Sequence, residues 1–430
     1  MVCHPELVHR MLRDSRTFDK GGPQYERLRA LMGDGVVTCP HAEHRRQRRL
    51  LQPTFHPSNV SGHTALMAEE AAALCGDWRD GQEVDVSAAM LGMTTRLISR
   101  VLLSDSLSPA AADEVRHCLA AIVRGLFVRT IVPVDVLFRI PTPANRRYRR
   151  AVERVRELID AAIAERRRGA PRDDLLGLLL AAADTEPPVT DREVHDQLVS
   201  LLLTGSESSS MCLASTFSLL GRHPEVERRL HAEVDTVLAG RLPDVDDLPR
   251  LVYTRSVVTE TLRHSPPGWL FTRVTTRETE FAGRRLPRGA TVLYSPYLLH
   301  HDPASFPEPD RFLPERWLEG EAAPGPHGAL IPFAAGSRKC IGDLFSMAEM
   351  TVALAAITGR WRLRHPSGRV APPRPGATLG PRSLTMICAP RTDAPDGTAP
   401  HAVAQVPEAA AAASGAEKAG RDGDNGVHHA

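Results

Sequence analysis

The chain has 430 residues, 42% hydrophobic and 24% charged, and its 53 basic and 52 acidic side chains leave a formal net charge of +1. That balance excludes a highly charged disordered chain and gives no global attraction to nucleic acid or to an anionic membrane. Seven widely spaced cysteines without a C-x-x-C exclude a disulfide framework and a zinc site; with no signal peptide and no run of 18 apolar residues, they place the chain in a reducing cytoplasm.

Helical patterns dominate the chain order. Pro5 to Leu12 predicts a short helix, His44 to Leu51 begins another, and Val152 to Arg168 is amphipathic and charged. Thr190 to Leu220 predicts a long helix, about 45 Å at a rise of 1.5 Å per residue. It opens with a capping box, Thr190 and Glu193, and stops at Gly221 ahead of Pro224. Glu225 to Leu238 and Leu251 to His264 follow as helices. Then the character changes. Thr272 to Thr279, Glu280 to Leu286 and Thr291 to Tyr294 are short and β-rich, punctuated by Gly283, Pro287 and Gly289. Residues 302 to 332 are irregular and rich in proline. A long helix follows Cys340, and Trp361 to Arg364 and Ser383 to Cys388 read as strands. Mainly helical, with small sheets placed late, the chain is predicted to be one α+β domain over residues 1–390. From 391 to 430 Ala, Gly, Pro and Asp prevail, and a disordered tail is expected there.

One run decides the chemistry: Phe333-Ala-Ala-Gly336-Ser-Arg338-Lys-Cys340-Ile-Gly342. A chain of this composition would carry that pattern by chance on the order of once in 10,000. Apolar Leu344, Phe345, Ala348 and Val352 recur at helical spacing beyond it. Cys340 therefore sits at the start of a helix, where free N–H groups and the dipole favour a thiolate.

The run is the haem-thiolate signature, and from about position 5 onward the chain resembles the cytochrome P450 superfamily. The resemblance implies haem b with Cys340 as its axial ligand. It implies that Phe333 shields the sulfur, that Arg338 pairs with a propionate, and that Gly336 and Gly342 let the loop pass close beneath the porphyrin. His44 and Arg48, four apart on one helix, and Arg273 are expected at the propionates as well. Arg45, Arg46 and Arg49 would then face outward, towards an acidic electron donor. Glu260-Thr-Leu-Arg263 matches the family's E-x-x-R. With Arg316 in Phe312-Leu-Pro-Glu-Arg316-Trp317, it implies a buried structural triad. Glu26/Arg29, Glu153/Arg156, Glu225/Arg228 and Glu308/Arg311 share that spacing and read as solvated surface pairs.

The middle of the long helix, Leu203-Thr204-Gly205-Ser206-Glu207-Ser208, is poor in helix formers. It reads either as a break between two helices or as a distortion over the iron. The family places an acid and a threonine here. In this chain Glu207 is the matching acid and Ser208 stands for the threonine, a pair expected to relay protons to bound dioxygen. The substrate pocket is expected at Leu203, Thr204, Trp269, Leu270, Thr378 and Leu379.

The function these features imply is a monooxygenase that inserts one oxygen atom from O2 into an apolar substrate. Electrons would come from a separate ferredoxin and NAD(P)H-ferredoxin reductase. Phe18-Asp-Lys-Gly-Gly22, Pro266 to Phe271, Thr291 to Tyr297 and Ala377 to Leu384 resemble pentalenene oxygenase and related sesquiterpene-oxidising members. A haem protein without efficient turnover is the alternative, because Ser208 replaces the threonine. The family has about fifty residues ahead of the Pro5 helix; Val2-Cys3 is expected to be the tail of a strand, and the chain as written to be poorly stable.

Overall fold

Proline does much of the punctuation. Seven helices among the described residues open on one, where its fixed φ suits the first turn and its missing N–H costs nothing. The computed structural model describes residues 1–132, 134–169, 172, 174–182, 188–318, 328–366 and 373–391.

The first part of the chain runs α1 (Pro5–Arg13), β1 (Phe18–Asp19), α2 (Pro23–Met32), α3 (His41–Leu51), α4 (Pro57–Gly62), α5 (Thr64–Gly76), β2 (Glu83–Asp85) and α6 (Val86–Leu103). The middle is helical: α7 (Pro109–Ile131), α8 (Asp135–Arg139), α9 (Pro143–Arg168), α10 (Leu175–Ala181), α11 (Asp191–Leu220), α12 (Pro224–Leu238) and α13 (Val252–His264). Then come β3 (Phe271–Thr275), β4 (Thr279–Phe281), β5 (Arg284–Leu286), β6 (Thr291–Tyr294), α14 (Pro296–His300), α15 (Asp343–Thr358), β7 (Trp361–Arg364) and β8 (Thr385–Pro390).

Two small antiparallel sheets, β1-β3-β6 and β2-β8-β7, and the hairpin β4-β5 flank the helices. The hairpin turns on Ala282 and Gly283, both at positive φ; β3 ends earlier, at Thr275, and does not run on to Thr279. Val2 makes a single isolated parallel bridge to Tyr294 of β6.

The 30-residue α11 is the axis of the molecule. Its capping box forms as expected, with the Thr190 hydroxyl accepting from the Glu193 N–H and the Glu193 carboxylate accepting from the Thr190 N–H. The Gly-Ser stretch does not break it. The hydroxyls of Thr204, Ser206 and Ser208 each donate to the carbonyl four residues earlier, at 2.7, 2.8 and 2.9 Å, which absorbs their hydrogen-bonding inside the helix. Gly205 is where α6 comes nearest. A Cβ there would lie 3.0 Å from Ile98 Cγ1, so a larger residue would push the two helices apart.

On one side of α11 the core is built with α6, α7 and α9, and on the other with α5, α12, α13 and α15. One described helix, α6, is long and apolar enough to cross a membrane by length and composition, but 67% of it is buried within the fold. At the other end of the chain Arg391 belongs to the folded unit, not to a tail. Its guanidinium holds both oxygens of Asp235, at 2.9 and 2.6 Å, and donates to the Thr358 carbonyl. The rest of the expected tail, 392–430, lies outside the described residues.

Candidate active site

The cysteine loop is locked by its own backbone. A short 3-10 turn, Gly336–Arg338, precedes Cys340, whose N–H donates to the Phe333 carbonyl at 2.9 Å. Gly336 has φ +71°, and a Cβ there would sit 2.2 Å from the Leu12 carbonyl oxygen. Only glycine permits this turn to pack on the end of α1. Gly342 is different. A Cβ there would make ordinary contact with the Phe55 ring at 3.6 Å, so no protein neighbour demands glycine at the start of α15.

The Cys340 sulfur faces a cavity of about 730 Å³, walled mainly by apolar side chains. Of the seven cysteines it alone lines this space. Burial pushes its thiol pKa up, while the Gly342 N–H bonded to the sulfur pulls it down. Phe333 and Gly342 line the cavity beside it.

Besides Lys339, which pairs with Asp343, four basic side chains line the same cavity: Lys20, Arg48, Arg273 and Arg338, with His44 among them. Arg273, 2% exposed, donates to the Thr272 carbonyl at 2.8 Å and to the hydroxyls of Tyr25 and Tyr294 at 3.3 Å. Among the described residues no carboxylate forms an ion pair with it. Arg338 donates to Asp19 Oδ1 at 2.6 Å and to the Cys39 carbonyl at 3.0 Å, and its buried Nε has no partner. Arg48 reaches the Lys339 carbonyl at 2.5 Å. Lys20 donates to the Val37 carbonyl, and burial, then Arg273 and Arg338, lower its pKa to about 7. Burial, then Arg338 and Lys20, lower the His44 pKa to about 3, leaving it neutral. So dense a cluster, with Asp19 the one carboxylate bonded to it, fits a ligand that brings anions. The two propionates of haem are such anions, and the sulfur stands below in the same cavity. The residues present fit the cofactor.

Lys20 is the member that sequence reasoning passed over, although it is one of only three lysines in an arginine-rich chain. On α3, Arg45 and Arg49 are exposed as expected. Arg46 is not free to face a partner, because it is paired with Glu193 of α11 and with Glu43.

Glu207 and Ser208 lie on α11 where it lines the cavity, next to Leu203 and Thr204. The Glu207 carboxyl is buried, which raises its pKa, and the Thr378 hydroxyl donates to its Oε1 at 2.8 Å. The Ser208 hydroxyl donates to Thr204, so its remaining capacity towards the cavity is as an acceptor. Trp269, Leu270 and Thr378 also line the space. Leu379 does not; it is buried behind the wall, its N–H donated to the Pro267 carbonyl at 2.9 Å.

Glu260, Arg263 and Arg316 come together. Glu260 and Arg263 are wholly buried and joined by two hydrogen bonds of 2.9 Å. Arg316 Nε lies 3.5 Å from Glu260 Oε1 without a hydrogen bond. The donors that complete Glu260 are the Leu313 N–H and the Trp317 indole, both at 2.9 Å. Sequence spacing did not single out Trp317, because the contact spans 57 positions. Glu308 and Arg311, of the same spacing, pair on the surface as expected, 58% and 61% exposed.

The family model for cytochrome P450 matches residues 1–388. The chain is a cytochrome P450. Cyclooctat-9-en-7-ol 5-monooxygenase and cyclooctatin synthase of Streptomyces melanosporofaciens are each 46% identical to it, covering 91% of this chain and 86% of theirs. Pentalenene oxygenase of Streptomyces avermitilis is 39% identical over 91% of this chain and 87% of its own. Among solved structures, the haem domain of cytochrome P450DA superposes with a TM-score of 0.81 at 29% identity, covering 91% of this chain and 87% of that one. This P450 is therefore an oxidoreductase of the monooxygenase class, and its cofactor is haem b on a cysteine thiolate.

Proposed function

We propose that this P450 hydroxylates a terpenoid, with electrons supplied by a ferredoxin and its NAD(P)H-dependent reductase in the cytoplasm. The observation that carries the reading is the mainly apolar cavity that Cys340 lines together with the buried acid Glu207 and the Ser208 hydroxyl. Three relatives named for oxidising cyclooctat-9-en-7-ol, forming cyclooctatin and oxidising pentalenene support the substrate class. A haem protein without turnover is not favoured, since those relatives bear enzymatic names.

Cys340 is the proposed iron ligand, with Arg338, Arg273, Arg48 and His44 at the propionates and Lys20 beside them. Bound haem supplies the redox chemistry: it accepts electrons, activates dioxygen and delivers one oxygen atom to a substrate carbon. Phe333 limits water at the sulfur. Leu203, Thr204, Trp269 and Leu270 hold an apolar molecule by exclusion of water rather than by hydrogen bonds. Burial raises the Glu207 pKa above that of an ordinary carboxyl, and the Thr378 hydroxyl fixes the carboxyl's orientation. Ser208 Oγ is an acceptor one residue away. Glu260, Arg263 and Arg316, with the Trp317 indole, brace the segment that precedes the cysteine loop.

The test is spectral and chemical. Cyclooctat-9-en-7-ol and pentalenene are titrated into the purified holoprotein while the Soret band is followed, and products are then sought with surrogate ferredoxin and reductase. A Soret shift with an oxygenated terpenoid product is expected. A flat titration across a terpenoid panel overturns the substrate class. Loss of the thiolate-type ferrous carbonyl absorption in Cys340→Ser, with the wild type showing it, checks the ligand separately.

A further inference from the structure

Of the two lysines at the cavity, Lys339 is paired with Asp343, and Lys20 has no acid partner among the described residues. Lys20 directly follows β1 and is only partly exposed. Its ammonium donates to the Val37 carbonyl at 2.8 Å and stands 5.6 Å from the centre of the Tyr25 ring. An ammonium carries three N–H donors, and that carbonyl is the one acceptor bonded to this one among the described residues. The neighbouring carboxylate is engaged elsewhere. Asp19 Oδ1 accepts from Arg338 at 2.6 Å and from the Lys20 backbone N–H at 2.8 Å, and Oδ2 accepts from the His41 N–H at 2.8 Å.

The groups around this ammonium are mainly of its own sign. Arg273 of β3 and Arg338 of the cysteine loop oppose its charge; Cys39, ahead of α3, and Cys340 favour it only when ionised. Arg48 of α3 lines the same space, and His44 beside it is neutral. Among the protein's own groups, then, Lys20 keeps its proton poorly: burial and the two guanidiniums bring it from 10.5 to about 7. An anion placed against the ammonium acts in the opposite sense. Two donors left over, a charge held against its neighbours and a wall shared with Arg48, Arg273 and Arg338 call for one ligand chemistry, a carboxylate carried by the molecule that fills the cavity.

We propose that Lys20 binds a haem propionate and gains its proton as the cofactor enters, so that its share of the haem affinity depends on pH. This rests on the haem-thiolate reading of the cavity and goes beyond it. The sign follows from linkage. A propionate raises the Lys20 pKa above the value of about 7 that the protein alone sets. Below about pH 7 the lysine is already charged and contributes in full. Above it, each haem that binds draws a proton from water onto Lys20 Nζ, and the contribution falls by up to about tenfold per pH unit. Cys340 loses its thiol proton to iron whatever stands at position 20, so a comparison of variants at that position isolates the lysine.

The experiment equilibrates the holoprotein with serum albumin as haem acceptor, from about pH 6 to about pH 9, and reads the division of haem between them from the Soret bands. Wild type, Lys20→Met and Lys20→Arg are compared, with the ferrous carbonyl spectrum confirming that each is loaded. At the acid end Lys20→Met is expected to hold haem about tenfold less firmly or worse, and the gap to close as pH rises through about 7 and beyond. Lys20→Arg, charged throughout, is expected to match wild type at the acid end and to hold haem more firmly than it at the alkaline end. Two results overturn the proposal: equal retention by wild type and Lys20→Met at every pH, or a deficit of one size at every pH, which is what a merely structural lysine gives. Should Lys20→Met fail to load haem, wild type against Lys20→Arg still decides: profiles that part above about pH 7 support the proposal and profiles that run together overturn it. Failure of the underlying reading looks different, because Cys340→Ser and Arg338→Met then retain haem as wild type does.

Discussion

At the scale of single residues, Glu349 is the side chain most out of keeping with its surroundings. It lies on α15, wholly buried at the cavity wall, and its Oε1 has no hydrogen-bond partner. Ser209 of α11 is the polar group that faces it, and burial raises its pKa to about 8. The folded chain then keeps a proton that the unfolded chain gives up above the ordinary carboxyl range. Between those two pKa values the unfolded state binds fewer protons, so stability falls as pH rises. Below the lower value both states are protonated and the penalty is absent. Glu349→Gln removes the titration. In denaturant unfolding the variant should gain on the wild type between about pH 5 and about pH 8; parallel profiles would contradict the shift. Nothing in the sequence distinguishes this glutamate from the solvated ones. Its pKa is set by what α11 places around it, which is a property of packing rather than of spacing.

Elements rather than residues decide where the cysteine loop stands. Glu260 ties α13 to the turn at 314–317 through four donors: two from Arg263, the Leu313 N–H and the Trp317 indole. Arg263 in turn holds the carbonyls of His300, Pro309 and Arg311. Glu260→Gln keeps the shape but leaves a buried guanidinium without its charge partner. A loss of about 3–5 kcal/mol is expected, read by urea unfolding and by release of haem at lower denaturant. Helices with recurring apolar positions were legible: α1, α3, α11, α12 and α13 were all anticipated, with ends displaced by a few residues, and α11 also by its capping box. The start of α9 was not, because residues 143–151 include four arginines and show no apolar stripe. Nor was α6, which is buried on most sides and so carries no polar face to set its period. The cysteine run was legible because its residues are neighbours in sequence. Lys20, Trp317 and the partner of Glu207 were not, because each finds its role through contacts made across the fold.

For the molecule as a whole, Arg391, which composition assigns to a tail, is bound into the fold. Its guanidinium is 1% exposed and satisfies Asp235 at the end of α12 and the last turn of α15 together. A chain ended after Arg391 would keep this ion pair. One ended after Pro390 should lose roughly 1–3 kcal/mol, visible as a lower melting temperature of the holoprotein. Equal melting of the two shortened chains would show that the pair contributes nothing. The same global view joins two regions that sequence keeps 171 positions apart, the acid at the centre of α11 and the hydroxyl at 378. Under the roles proposed for them, the loop that gives a guest its fit also orients the group that guards against wasted reductant. Redesign of that loop for a bulkier guest is then never a change of appetite alone: each altered product spectrum carries its own leak of peroxide, and the two have to be scored on the same plate.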